Sequence, residues 1–125
     1  MKLEKQVTSL KLSKKLKKLG VKQYSEFYWY FKVDTGWDVV QSVYAEDVFG
    51  TWYNDTPKVS AFTVAELGEM LPPQIKVERE YLNLTMTKWS NGKFGIGYSR
   101  EDKYNDTEAS ARAKMLIYLI ENNLK

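Results

Sequence analysis

The chain has neither cysteine nor histidine among its 125 residues. Without thiols there are no disulfides, no thiolate metal site and no cysteine nucleophile. Without imidazole, Ser-His and Cys-His catalysis fall away, together with the usual zinc and non-haem iron ligand sets. Any chemistry has to run on Asp, Glu, Lys, Arg, Tyr, Ser or Thr, and no cofactor is expected. Long apolar runs are missing too, and none approaches the roughly 20 residues of a membrane-spanning helix. The N-terminus has the lysines of a secretory signal without its apolar middle, so the expectation is a cytoplasmic protein with no membrane partner. The length fits one domain, 1–125, around one hydrophobic core.

What the chain does have is segregated charge. Lys2, Lys5, Lys11, Lys14, Lys15, Lys17, Lys18 and Lys22 stand against Glu4 alone, so residues 1–22 carry +7. The rest carries −4, and the modest overall charge of +3 hides one basic end.

Thr8 and Ser9 suit helix N-caps, Leu12, Leu16 and Leu19 follow at helical spacing, and Gly20 stands where a C-cap glycine belongs. Lys11, Lys14, Lys15, Lys18 and Lys22 share the side opposite the leucines. Residues 26–33 then alternate with period two, which reads as a strand with Phe27, Trp29, Phe31 and Val33 inward and Tyr28 and Tyr30 outward. Asp34-Thr35-Gly36 is a turn signal, and 37–44 returns as a second strand. Residues 46–60 carry little pattern, although Phe49, Trp52 and Tyr53 are expected to pin part of them to the core. Thr63-Val64-Ala65-Glu66 fits a capping box, and Pro72-Pro73 stops that helix after Leu71. Residues 75–89 read as extended, with Leu82, Leu84 and Met86 on one side. Asn91-Gly92 marks a hairpin, with Phe94, Ile96 and Tyr98 alternating into the core beyond it. Asp106 or Thr107 caps a last helix whose Ala109, Ala113, Leu116, Ile117, Ile120 and Leu124 form one broad face. This order predicts an α+β fold: an antiparallel sheet of about four strands in two hairpins, with two longer helices and one short helix packed on it.

Five constellations bear on function. The lysine face, Lys11, Lys14, Lys15, Lys18 and Lys22, is either a contact site for nucleic-acid phosphates or a solvated face. Lysine in place of arginine, with no aromatic among the lysines, argues against specific base readout. Residues 12–25 look like the start of a helix-turn-helix, but Glu26 stands where the recognition helix needs an apolar residue. Gly92–Tyr98 loosely resembles the aromatic strand of an RNA-recognition motif, yet Ile96 replaces a stacking ring and the turn accounts for the glycines. Tyr28 and Tyr30, if exposed, offer a protein interface of large area at low entropy cost. The acidic pairs Glu46-Asp47, Glu66/Glu69, Glu78/Glu80 and Glu101-Asp102 each read as surface charge, since none comes with a matching second motif.

Residues 7–29 (through Leu19-Gly20-Val21 into Phe27-Tyr28-Trp29), 60–72 (Thr63 to Pro72) and 106–124 resemble, in order and spacing, a group of small uncharacterised proteins of bacteria and their phages or prophages. These blocks are helix caps and core faces, so the resemblance implies a shared fold and supplies no site residues. It implies a cytosolic accessory protein of a mobile element that acts on host proteins or on nucleic acid. The expected function is non-catalytic binding through contacts with a protein partner, with the Tyr28/Tyr30 face as its surface. The alternative is nucleic-acid binding through the lysine-rich helix.

Overall fold

The structure, a computed structural model, describes residues 2–32, 34–41, 58–98 and 102–124. Among these it has four helices, α1 (Leu3–Gln6), α2 (Leu10–Lys18), α3 (Val64–Met70) and α4 (Glu108–Glu121). Its strands are β1 (Phe27–Lys32), β2 (Gly36–Gln41), β3 (Lys58–Ala61), β4 (Gln74–Val77), β5 (Glu80–Asn83), β6 (Thr85–Lys88), β7 (Phe94–Gly97) and β8 (Asp102–Asn105). The α+β class is as expected, but the strands divide into three antiparallel sheets: β2-β1-β3, β4-β5 and β6-β7-β8.

The helices end as their residues dictate. Ser9 caps α2 by accepting from the Leu12 amide at 3.3 Å. At the other end Gly20, at φ +89°, lets Gly20 N–H reach Lys17 O and Val21 N–H reach Leu16 O, both at 3.0 Å. That pair of bonds is a Schellman stop. Thr63 and Glu66 form the reciprocal capping box on α3. Thr107 caps α4 through the Ser110 amide, and Asn123, at φ 56°, ends it with a second Schellman pair.

The core gathers around α4. Ala109, Ala111, Ala113, Met115, Leu116 and Leu119 are almost wholly buried, among Leu16 of α2, Leu67 of α3, Ile96 of β7 and Tyr98. Small residues at 109, 111 and 113 let neighbouring backbones approach closely, so this helix is covered on several sides. The Asn91-Gly92 hairpin forms as expected, with Lys88 opposite Phe94 and Gly92 at φ 86°.

A buried polar knot at Thr8 fixes α2 on this frame. Thr8 N–H donates to Phe62 O at 2.9 Å, and Phe62 N–H donates to the Thr8 hydroxyl at 3.1 Å. The Thr8 and Ser13 hydroxyls are 2.6 Å apart, and the Trp29 indole donates to Thr8 O at 2.8 Å. Next along the chain, Ser9 N–H donates to the Ser110 hydroxyl of α4 at 3.2 Å.

Several expectations need correction. Residues 75–89 are three short strands and not one, because Glu78, at φ 58°, turns the chain between β4 and β5. Met86 is exposed, although Leu82 on the same alternation is buried. β3 and β8 lie where no strand pattern was read. Four-residue strands are too short to show a period, and β8 (Asp-Lys-Tyr-Asn) has only Tyr104 as a strand former. The chain after Ser25 enters β1, so no helix-turn-helix forms. The expected contacts of Phe49, Trp52 and Tyr53 lie outside the described residues, as do Val33 and residues 42–44 of the expected second strand.

The β1 faces are reversed. Tyr28 and Tyr30 are 9% and 3% exposed, while Phe31 is 42% exposed. The tyrosine face is the one that also carries Val40 and Ser60, both buried, so rings there leave water. Phenol oxygens let Tyr occupy such a place: the Tyr28 hydroxyl donates to Gln23 O at 3.4 Å. Trp29, on the other face, is half-buried beneath the Thr8 segment.

Two outcomes follow. Thr8→Val keeps the shape but strands the Phe62 amide and leaves the Ser13 hydroxyl only its bond to Thr8 O at 3.3 Å, so urea unfolding shows a loss of about 1–3 kcal/mol, recovered in part by Thr8→Ser. Burial pushes the Tyr98 hydroxyl up to about 12, where it donates to Pro72 O at 2.6 Å. The native state therefore holds this proton more tightly than the unfolded chain. Its stabilisation is complete below about pH 10, the ordinary tyrosine value, and is lost as pH climbs to 12. Alkaline unfolding of Tyr98→Phe lacks that part of the decline.

Candidate functional site

The lysines of α2 end on two different sides of the molecule. The helix buries Ser13 and Leu16, so Lys11, Lys14 and Lys18 point to solvent and Lys15 is half-exposed. Lys17 turns toward the first sheet, where its ammonium donates to Lys58 O at 3.0 Å. Desolvation, and then the nearby Lys17 charge, hold the Lys58 ammonium below the usual lysine range. Lys22 lies beyond the Gly20 stop. It lines a separate hollow with Leu19, Val21 and Met70, and sits 6.0 Å from the Tyr24 ring. It does not join the other four, because Gly20 turns the chain before the helical repeat reaches position 22.

Lys11, Lys14, Lys15 and Lys18 form one wall of a groove of about 720 Å³ between α2 and α4. Its floor is Leu12, Ile117 and Tyr118. The far side supplies two further lysines, Lys103 from β8 and Lys114 from α4. Six lysines from three elements therefore line a groove with an apolar floor, with Glu121 as the one carboxylate in the lining. Glu121 meets Lys15 at 3.3 Å, and both side chains are nearly half exposed, so the pair neutralises little. Lys14 is held 4.7 Å from the Trp37 ring centroid and Lys103 at 4.7 Å from that of Tyr118, while Lys114 donates to Tyr104 O at 2.9 Å. The contacts of Lys14 and Lys114 hold those two ammonium groups in place without cancelling their charge.

Lys103 and Lys114 were not singled out from the sequence. Lys103 belongs to a strand read as a loop, and Lys114 sits on the helix whose apolar face drew attention. A lysine at 114, between Ala113 and Met115 on a mostly buried helix, is the signal that was there to be seen.

The remaining candidates do not converge. Tyr28 and Tyr30 are buried and present no ring face to a protein partner. Glu66 is used in the α3 cap, Glu69 is exposed on the same helix, and Glu78 and Glu80 are exposed beside the β4–β5 turn. Glu46, Asp47 and Glu101 lie outside the described residues. Among the described residues, no group of three or more Asp or Glu is placed to hold a metal ion. A second hollow, of about 540 Å³, lies by the N-termini of α3 and α4. Its lining holds Lys5 together with Asp106 and Glu108, so charges of both signs are present.

Glu121→Gln leaves the groove with six lysines and no carboxylate in its lining. The salt concentration needed to elute the variant from a heparin column rises above that of the parent, and the unfolding free energy changes by less than about 1 kcal/mol. No helix among the described residues is long and apolar enough to cross a membrane. No protein-family model, curated protein or solved structure matches the chain, so the reading of the site stands on its own geometry.

Proposed function

We propose that the protein is a non-catalytic nucleic-acid-binding accessory protein that holds a phosphate backbone in the groove between α2 and α4. One observation carries this reading: Lys103 and Lys114 come from distant parts of the chain and complete a rim that the α2 lysines begin. A merely solvated lysine face needs no such convergence. Gathering six like charges is unfavourable, and a polyanion relieves it while releasing its own counterions. Lysine ammonium groups are point charges suited to phosphates, so binding of this kind is largely blind to sequence. The expected protein partner loses its candidate surface with the burial of Tyr28 and Tyr30.

Fluorescence anisotropy of a labelled oligonucleotide tests the proposal. Affinity falls about a hundredfold between about 50 and 200 mM salt, as four or so phosphate contacts require. Lys14→Glu with Lys18→Glu abolishes binding, whereas Lys2→Glu with Lys5→Glu, away from the groove, weakens it only slightly. Affinity indifferent to salt and to the first pair would overturn the reading.

A further inference from the structure

We infer that the hollow bounded by α1, β1, α3, β7 and α4 is a second binding site, for a short peptide with free ends and apolar side chains. Its volume of about 540 Å³ is in the range that takes a small ligand. Phe27 of β1, Val64 of α3 and Phe94 of β7 line it, each half-buried, so apolar surface from three elements is left facing one space. The walls are fixed by hydrogen bonds outside the hollow. The Glu66 carboxylate that closes the α3 capping box also accepts from the Glu26 N–H at 3.1 Å, which ties the start of β1 to the start of α3. Val7 bridges to Thr63, and Ser9 N–H donates to the Ser110 hydroxyl, so the segment after α1 is tied to both α3 and α4. A site held open in this way spares its ligand the cost of ordering it.

The charges choose the occupant. Lys5 of α1 and Asp106, just ahead of α4, stand in the same lining as the apolar walls. Both are exposed, and among the described residues neither has an ion-pair partner, so they do not pair with each other. Glu108, also in the lining, lies 4.0 Å from the Arg112 guanidinium one turn further along α4. An unmatched cation and an unmatched anion around an apolar interior fit a zwitterion with an apolar body, its carboxylate on Lys5 and its ammonium on Asp106. To reach both, the ligand needs its charges apart, and a peptide separates its ends by about 3.3–3.6 Å per residue. A nucleotide would set its phosphates against Asp106 and Glu108, and an uncharged molecule would leave Lys5 and Asp106 unused. The site shares no lining residue with the α2–α4 groove, so it stands apart from the function proposed above.

Titration calorimetry with leucyl-phenylalanine tests the site, beside the same dipeptide acetylated at its amino end or amidated at its carboxyl end. The parent protein binds the free dipeptide, and either block weakens binding about fivefold, as the loss of one exposed ion pair allows. Asp106→Asn weakens the free dipeptide by a similar factor, yet binds the acetylated one as the parent does, because the contact it removes is already gone. Lys5→Met behaves in the same way toward the amidated dipeptide. Both positions are exposed, so these variants keep the fold, which circular dichroism verifies. Ala65→Phe, at an exposed position of the lining, fills the hollow and abolishes binding. Equal affinity for the free and blocked dipeptides overturns the zwitterion as occupant. So does a parent protein that takes up no free dipeptide at millimolar concentration, a result that needs no variant to fold.

Discussion

The burial of α4 is the constraint from which the rest of the architecture follows. From Glu108 to Ile120 no residue of this helix is fully exposed, so its neighbours have to enclose it from several directions. α2, α3, β7 and β8 all pack on it, and the first three donate apolar residues that none of them could bury alone. Tyr118 and Lys114 are among the residues where this helix comes back toward water. They lie in the gap left between α2 and β8, and that gap is the groove. The Thr8 knot sets how α2 lies across it. Function and stability therefore share one scaffold, with the polar knot deciding the position of the lysines and the apolar helix deciding what lies beneath them.

Electrostatic strain is the counterpart of this design. Lysines on a free helix can spread into solvent, but Lys103 and Lys114 are delivered to the same rim by elements fixed in the core. Like charges brought to one rim repel, and under the proposed function a bound polyanion would offset that repulsion. The segregated charge is thus more than a feature of the N-terminus, since the fold concentrates it further by recruiting two lysines from the net-acidic remainder of the chain.

How far the sequence could be read depended on whether a residue acts locally. Caps and stops act within a few residues, and Ser9, Gly20, the Thr63/Glu66 box, Asn91-Gly92 and Thr107 were all legible. Periodicity showed that β1 is a strand, yet it could not say which face turns inward. Both faces are aromatic, and the answer depends on what each meets in the fold. Tyrosine looked like the exposed face because of its hydroxyl, but a ring with a polar tip can be buried where the tip finds an acceptor. The short strands β3 and β8 escaped notice because pairing with a neighbour, and not their own composition, makes them strands. The groove was half legible: the α2 lysines stood out as a run, whereas Lys103 and Lys114 become neighbours only through tertiary structure. The contact of the Trp89 and Tyr104 rings beside Gly95, with centroids 5.0 Å apart, was invisible for the same reason.

The glycine at 95 has an evolutionary consequence. Because the Tyr104 ring occupies the volume of the side chain that Gly95 lacks, ring position and residue size at 95 are tied together. A single methyl group there pushes the ring off the strand without touching any lysine. Positions 95 and 104 therefore change together: a residue larger than glycine at 95 is tolerated only where a smaller side chain stands at 104.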